Sequence, residues 1–177
     1  LAIIGGGPAG SAAAVYAARK LLKTVLITKD FGGQSVVSSD IQNWIGTPVI
    51  SGEQLAKDLE KHVRTYAGDV VSIETDDTLS SVVCKDGHFN VTTVQGKQFD
   101  VKTILVTSGG QRKKLVAQNA EKFDNKGLTY CASCDGPLFA GLDVAVIGGG
   151  NAGFETAAQL LAYAMSVSLL QRGDTYN

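Results

Sequence analysis

A chain of 177 residues suits one ordinary domain or two small ones, and 44% apolar content can support a buried core. A formal charge of −1 gives no electrostatic case for nucleic acid or an anionic membrane. No apolar run reaches the ~18 residues of a membrane span, no secretory leader is expected, and three cysteines are too few for a secreted disulfide scaffold.

Leu1-Ala2-Ile3-Ile4 reads as a short buried parallel strand. Gly5-Gly6-Gly7-Pro8-Ala9-Gly10 follows at once. The alanine-rich run from Ser11 to Leu22 predicts a helix, and Thr24 to Thr28 a second strand. This strand, glycine turn, helix, strand order is the one a dinucleotide fingerprint requires. Gly5 permits the tight turn, Gly7 lets backbone approach a pyrophosphate, and Gly10 lets helix and strand pack closely. The helix N-terminus then offers free N–H groups to phosphate. The second strand ends at Thr28 rather than at the usual acid, and Asp30 comes two residues later.

Phe31-Gly32-Gly33-Gln34 and Ile41-Gln42-Asn43-Trp44-Ile45-Gly46 carry loop signals. Ser51-Gly52-Glu53-Gln54 before Leu55, Leu59 and Val63 predicts a capped amphipathic helix, with His62 near its end. Val70–Glu74, Ser81–Cys84, Phe89–Val94 and Lys97–Asp100 are expected to form a small antiparallel meander with a turn at Asp86-Gly87. His88 is expected in that turn. Cys84, with no nearby partner, reads as a small core or strand side chain. Thr103–Val106 is a further buried strand, closed by Thr107-Ser108-Gly109.

Cys131-Ala132-Ser133-Cys134, followed by Asp135, is a Cys-x-x-Cys at a helix start. That spacing brings the sulfurs within disulfide reach, and the helix dipole favours a thiolate. Zinc needs four ligands. Only Cys84, His62 and His88 remain, so the pair reads as redox and no metal is expected. Val144–Ile147 and Gly148-Gly149-Gly150-Asn151-Ala152-Gly153 repeat the opening unit. Leu1–Lys29 aligns without a gap on Val144–Arg172: Gly5 meets Gly148, Gly10 meets Gly153 and Leu26 meets Leu169. Two copies imply two nucleotides. The outer strand of the second copy ends at Gln171-Arg172. No acid stands there, and an arginine favours a 2′-phosphate over a free ribose hydroxyl.

The order G-G-G-P-A-G, G-G-Q, I-Q-N-W-x-G, C-A-S-C-D-G and G-G-G-N-A-G resembles the low-molecular-weight thioredoxin reductases. It is similar as well to their relative, the flavoprotein subunit of alkyl hydroperoxide reductase. The resemblance implies an α/β fold: an FAD-binding Rossmann-like domain with a small β-meander over residues 1–110, then the start of a Rossmann-like NAD(P)-binding domain over 111–177. It implies FAD at Gly5, Gly7, Pro8, Ala9, Gly10 and Thr28. Gly33, Gln34, Asn43, Ser108 and Gly109 complete that site. NADPH, or NADH, is expected at Gly148, Gly150, Asn151, Ala152, Gly153, Glu155 and Arg172. Catalysis falls to Cys131, Cys134 and Asp135, with Cys134 toward the flavin, Cys131 toward the partner and Asp135 as acid/base.

Where the family has glutamate before Asn43, this chain has Gln42, and where it has Val-Pro-Gly-Glu, this chain has Ala117-Gln118-Asn119-Ala120. The chain ends one strand past the second fingerprint, so it is expected to cover only part of a longer reductase. The implied function is electron transfer from NADPH through FAD and the dithiol to a thioredoxin-like protein, in a cytoplasmic homodimer. One alternative is a peroxidase-linked subunit driven by NADH. Another, of a different class, is a non-catalytic flavin-binding redox sensor.

Overall fold

The computed structural model describes residues 1–110 and 113–173. The chain divides into two compact units, Leu1–Gln111 and Arg112–Asn177.

The first unit opens with strand β1 (Ala2–Gly6), helix α1 (Pro8–Arg19) and strand β2 (Thr24–Phe31). A 3-10 turn over Gly33–Val37, helix α2 (Gly52–Ala67) and strand β3 (Val71–Glu74) follow. Then come β4 (Leu79–Lys85), β5 (His88–Thr93), β6 (Gln98–Val101) and β7 (Ile104–Val106). A four-stranded parallel sheet runs in the order β3-β2-β1-β7, and β4-β5-β6 form a separate antiparallel sheet.

Successive strand residues point to opposite faces, and both faces of β1 and of the first part of β2 are buried, so Ala2–Ile4 and Val25–Ile27 are apolar runs. Ile3 and Leu26 point to one face, where they pack with Ala14, Val15 and Ala18 of α1 and Val63 and Ala67 of α2. Ala2, Ile4, Val25 and Ile27 point to the other face and pack with Val91 of the antiparallel sheet. The parallel sheet is thus covered on one side by helices and on the other by strands.

The sequence expectations hold in outline and shift in detail. Thr103–Val106, expected to be a buried strand, forms β7 over Ile104–Val106, but Leu105 and Val106 are exposed. Helix α1 begins at Pro8 rather than Ser11, because proline at its first position has the backbone angle a helix start needs. It ends at Arg19 rather than Leu22, and Leu21 takes φ +57°. Strand β2 runs on to Phe31, past the expected end at Thr28. The segment 71–74 does not join a four-stranded meander: it pairs in parallel with β2, Thr24 opposite Val71 and Leu26 opposite Ile73. Alternation shows a strand but not its partner, and Val71 is buried in the helix-side core. The turn at Asp86-Gly87 is as expected, both residues having positive φ. His88 lies in β5 opposite Lys85, not in the turn. Cys84, expected as a core or strand side chain, is a strand residue of β4 and exposed rather than in the core. Ser51 caps α2, accepting the Gln54 N–H at 3.2 Å. The Gln54 side chain turns instead to Asp58 at 2.9 Å.

The second unit contains α3 (Ala120–Phe123), α4 (Ala132–Asp135), a 3-10 turn over Gly136–Phe139, β8 (Asp143–Ile147), α5 (Asn151–Leu160) and β9 (Ser166–Leu170). Strands β8 and β9 are parallel. The internal repeat extends to the hydrogen-bonding register. Ala2, Ile3 and Ile4 stand opposite Val25, Leu26 and Ile27, and Ala145, Val146 and Ile147 stand opposite Ser168, Leu169 and Leu170. No helix among the described residues is long and apolar enough to cross a membrane.

Leu26 has no exposed surface and sits at the centre of the helix-side core. Leu26→Ala should cost about 2–5 kcal/mol in denaturant unfolding of the first unit. Val83→Ala, on the exposed strand β4, should stay within about 0.5 kcal/mol. Equal effects would contradict this division of core and surface.

Candidate functional site

The first glycine turn is built by close approach. Gly5 has φ +110°, and a Cβ there would stand 2.5 Å from the Thr107 carbonyl oxygen. A Cβ on Gly10 would overlap the Gly5 carbonyl oxygen. The Thr107 hydroxyl lies 2.9 Å from the Ile4 carbonyl and 3.0 Å from that of Gly5. The buried Ser11 hydroxyl donates to Gly6 O at 3.1 Å. Together these contacts hold the first turn of α1 against the end of β1.

Gly7 caps α1 without a side chain, and a Cβ on it would meet only Gly33 Cα, at 3.9 Å. Pro8 is half-buried and Ala9 exposed. A twelve-residue helix therefore starts with no side-chain cap on its N–H groups and no acid in its first turn. This geometry suits the pyrophosphate of a dinucleotide.

The C-terminal ends of β1, β2 and β7 gather several expected site residues. Ser108 lies beside Gly5, its Cα 3.2 Å from where a Gly5 Cβ would be, and Gly109 follows with φ +65°. Gly33, at φ +54°, faces Gly7. The Gln34 side-chain amide donates to the Gly110 carbonyl, tying the loop after β2 to the segment after β7. Thr28 is placed differently from a ribose ligand. It is buried, accepts the Gly6 N–H at 2.8 Å and donates to Asp30 O at 2.6 Å, so its hydroxyl locks the turn from beneath. Asn43 is exposed in the loop closed by the Ile41–Ile50 bridge, and no contact among the described residues joins it to this group.

The second turn repeats the device. Gly148 has φ +121°, and a Cβ on Gly153 would overlap its carbonyl oxygen. Gly150 caps α5 without a side chain, and Asn151 and Ala152 open the helix. Glu155 and Arg172 are exposed. Gln171 stands where the first copy has Thr28, and its side chain likewise covers the turn, occupying the space a Gly149 Cβ would need. Its Nε2 donates to Gly173 O at 2.8 Å.

Cys131 caps α4, its Sγ 3.2 Å from the Cys134 N–H, and the two cysteines form a disulfide with Cα atoms 5.3 Å apart. Cys134 is exposed and Cys131 half-buried. The Asp135 carboxylate accepts from the Thr129 hydroxyl. A cavity of about 430 Å³ in this unit is lined by Cys131, Tyr130, Val146, Ala152, Gly153 and Leu160, among others. The disulfide and the second turn thus open onto one space. Lys114, which also lines it, donates to the Asp124 carboxylate at 2.8 Å, and that carboxylate holds the ammonium above its usual pKa.

Thr107, Ser11 and Thr129 were not singled out from the sequence. Thr107 could have been found, because it begins the Thr-Ser-Gly that closes β7. Thr129 could not, since only the folded chain shows its contact. His62 lies beside Tyr66 with the two rings tilted at 54° and their centroids 5.4 Å apart, on the exposed side of α2. Among the described residues no group of three or more His, Cys, Asp or Glu is arranged to hold a metal.

Over residues 1–176 the sequence matches the pyridine nucleotide-disulphide oxidoreductase family. It is 40% identical to an alkyl hydroperoxide reductase subunit of Xanthomonas campestris pv. phaseoli, over 97% of this chain and 32% of that protein. It is 38% identical to a Bacillus subtilis protein named NADH dehydrogenase, over 96% of this chain and 32% of that one. The fold superimposes on thioredoxin reductase from Streptococcus pyogenes with a TM-score of 0.87 at 31% identity, covering 99% of this chain and 56% of that one. The chain thus spans about a third of these curated relatives and just over half of the solved chain.

The two glycines of the first turn should separate folding from binding. Gly10→Ala drives a methyl into backbone and should cost on the order of 3 kcal/mol. Gly7→Ala has room and ordinary backbone angles, so stability should move by less than about 1 kcal/mol. Its methyl would nevertheless stand at the helix mouth and should weaken dinucleotide uptake. Undiminished uptake by a folded Gly7→Ala protein would remove this turn from the binding site.

Proposed function

Because the chain belongs to the pyridine nucleotide-disulphide oxidoreductase family, we propose that its activity is flavin-dependent disulfide reduction. The observation that carries this reading is the Cys131–Cys134 disulfide opening onto the same cavity as a dinucleotide turn, in a chain that contains a second such turn. Bound FAD would supply the two-electron chemistry that links a nicotinamide hydride donor to a disulfide.

The residues of the chain have the following parts in this reading. Gly5, Gly7 and Gly10 leave backbone open to the FAD pyrophosphate, and the uncapped start of α1 supplies N–H donors. Gln34, anchored on Gly110, shapes the loop beside that site. Gly148, Gly150, Asn151 and Gly153 do the same for the nicotinamide cofactor at α5. Thr129 orients the Asp135 carboxyl, which exchanges a proton with the thiols. Cys131 as thiolate attacks the partner's disulfide, giving a mixed disulfide and one partner thiol. Cys134 then attacks Cys131 Sγ, releasing the second partner thiol and restoring the disulfide. The acceptor in this reading is a thioredoxin-like protein. The protein would act as a homodimer in the cytoplasm, where a disulfide that cycles is expected rather than a structural one.

The 40% identity to proteins named as alkyl hydroperoxide reductase subunits favours a second reading, in which the dithiol feeds a peroxidase-linked module and NADH is the donor.

Anaerobic titration of the flavin-loaded protein with NADPH and NADH tests the common part of both readings. Cys131→Ser and Cys134→Ser should each abolish reduction of the acceptor protein and keep flavin bleaching by the nicotinamide. Acceptor reduction surviving in either variant would mean electrons leave by another route.

The donor is decided at the end of β9. Arg172 is exposed there and Gln171 replaces an acid, so a 2′-phosphate gains a charge-assisted contact. One exposed arginine should give about tenfold selectivity, or about 1.4 kcal/mol. kcat/KM should favour NADPH, and Arg172→Ala should close most of the gap. A preference of the unaltered protein for NADH would select the peroxidase-linked reading.

A further inference from the structure

The serine between the two cysteines is tied to the helix of the second dinucleotide turn: Ser133 Oγ donates to Gln159 Oε1 on α5 at 3.0 Å. Helix α4 has only four residues, too few to hold itself. Thr129 donates to Asp135 at its end, and Gly136, which follows it, lies close enough to Tyr163 and Leu160 that a Cβ there would touch both. The dithiol segment is therefore held in part by α5.

We propose that the Ser133–Gln159 hydrogen bond is a positioning device that sets the reduction potential of the Cys131–Cys134 pair. The inference rests on the reading of that pair as the working dithiol. In the reduced protein no covalent bond keeps the sulfurs close. A tether that holds α4 in its disulfide-bonded shape raises the effective concentration of one thiol at the other and favours closure. Without it, the reduced segment gains freedom that must be lost again when the bond forms. The untethered disulfide is easier to reduce, and its dithiol is the weaker reductant.

The test uses the full-length protein in glutathione buffers. Two glutathione thiols reduce the Cys131–Cys134 disulfide to two thiols and leave as glutathione disulfide, two electrons and two protons passing to the protein. Alkylation and mass measurement then count reduced protein. For a solvent-exposed hydrogen bond the exchange constant should move about threefold to fivefold. At about 30 mV per tenfold this raises the potential by roughly 14–21 mV. Ser133→Ala and Gln159→Ala should each show this shift, and the double variant should show no more than either alone. Ser133→Thr, which keeps the hydroxyl, should keep the parent potential. A shift in Ser133→Ala with none in Gln159→Ala would mean that the hydroxyl acts on sulfur directly, and would overturn the proposal. Unchanged potentials in both variants, or additive shifts, would overturn it as well. These outcomes are separate from the functional reading, which fails if the unaltered protein reduces no protein disulfide whatever its potential.

Discussion

The contact on which the first unit depends is a missing methyl group. Gly10 at the start of α1 lies so close to the Gly5 carbonyl that a Cβ would overlap its oxygen. This approach lets a helix begin directly above the end of a strand. It aims the N–H groups of the helix at the space beyond the sheet, where an anion is favoured. Thr107 and Ser11 hold the same junction with their hydroxyls, and β7 reaches it by pairing Ile104, Leu105 and Val106 with Ala2, Ile3 and Ile4. Interior packing on both faces of the sheet keeps β1 still while its end carries the turn.

The second unit uses the same constraint with different surroundings. Gly153 stands over Gly148 as Gly10 stands over Gly5, and the strand register is preserved residue for residue. The two copies part at the end of the outer strand. Thr28 is short and buried, and it fastens Gly6 to Asp30. Gln171 is longer, lies over Gly149 and reaches Gly173. The backbone turn is thus shared, while the side chains that cover it differ. Specificity between dinucleotides can change there without touching the turn.

The dithiol segment is the least self-sufficient part of the chain. Four helical residues and a 3-10 turn cannot bury enough surface to stand alone, so α5 supplies the seat. The helix that starts at the second turn also contacts the disulfide segment through Gln159, so the glycine turn and the cysteines are joined by one element.

The motifs that define this protein were legible in the residues, because their physics is local. A glycine that must take φ +110° or tolerate a carbonyl at its Cβ position leaves a mark in the sequence, as do a Cys-x-x-Cys and an Asp-Gly hairpin turn. The buried strand β1 and the buried first part of β2 were legible too, since burial on both faces demands an apolar run, and so was the repeat that relates β1 to β8. Partnership was not. Nothing in Val71–Glu74 says that it lies beside β2 rather than in the antiparallel sheet, because alternation reports a face and not a neighbour. The burial of Thr28, the exposure of Cys84 and the pairing of Ser133 with Gln159 were decided only when distant segments met. Backbone conformation is a property of a few adjacent residues, whereas a side chain's partner is a property of the whole packed fold.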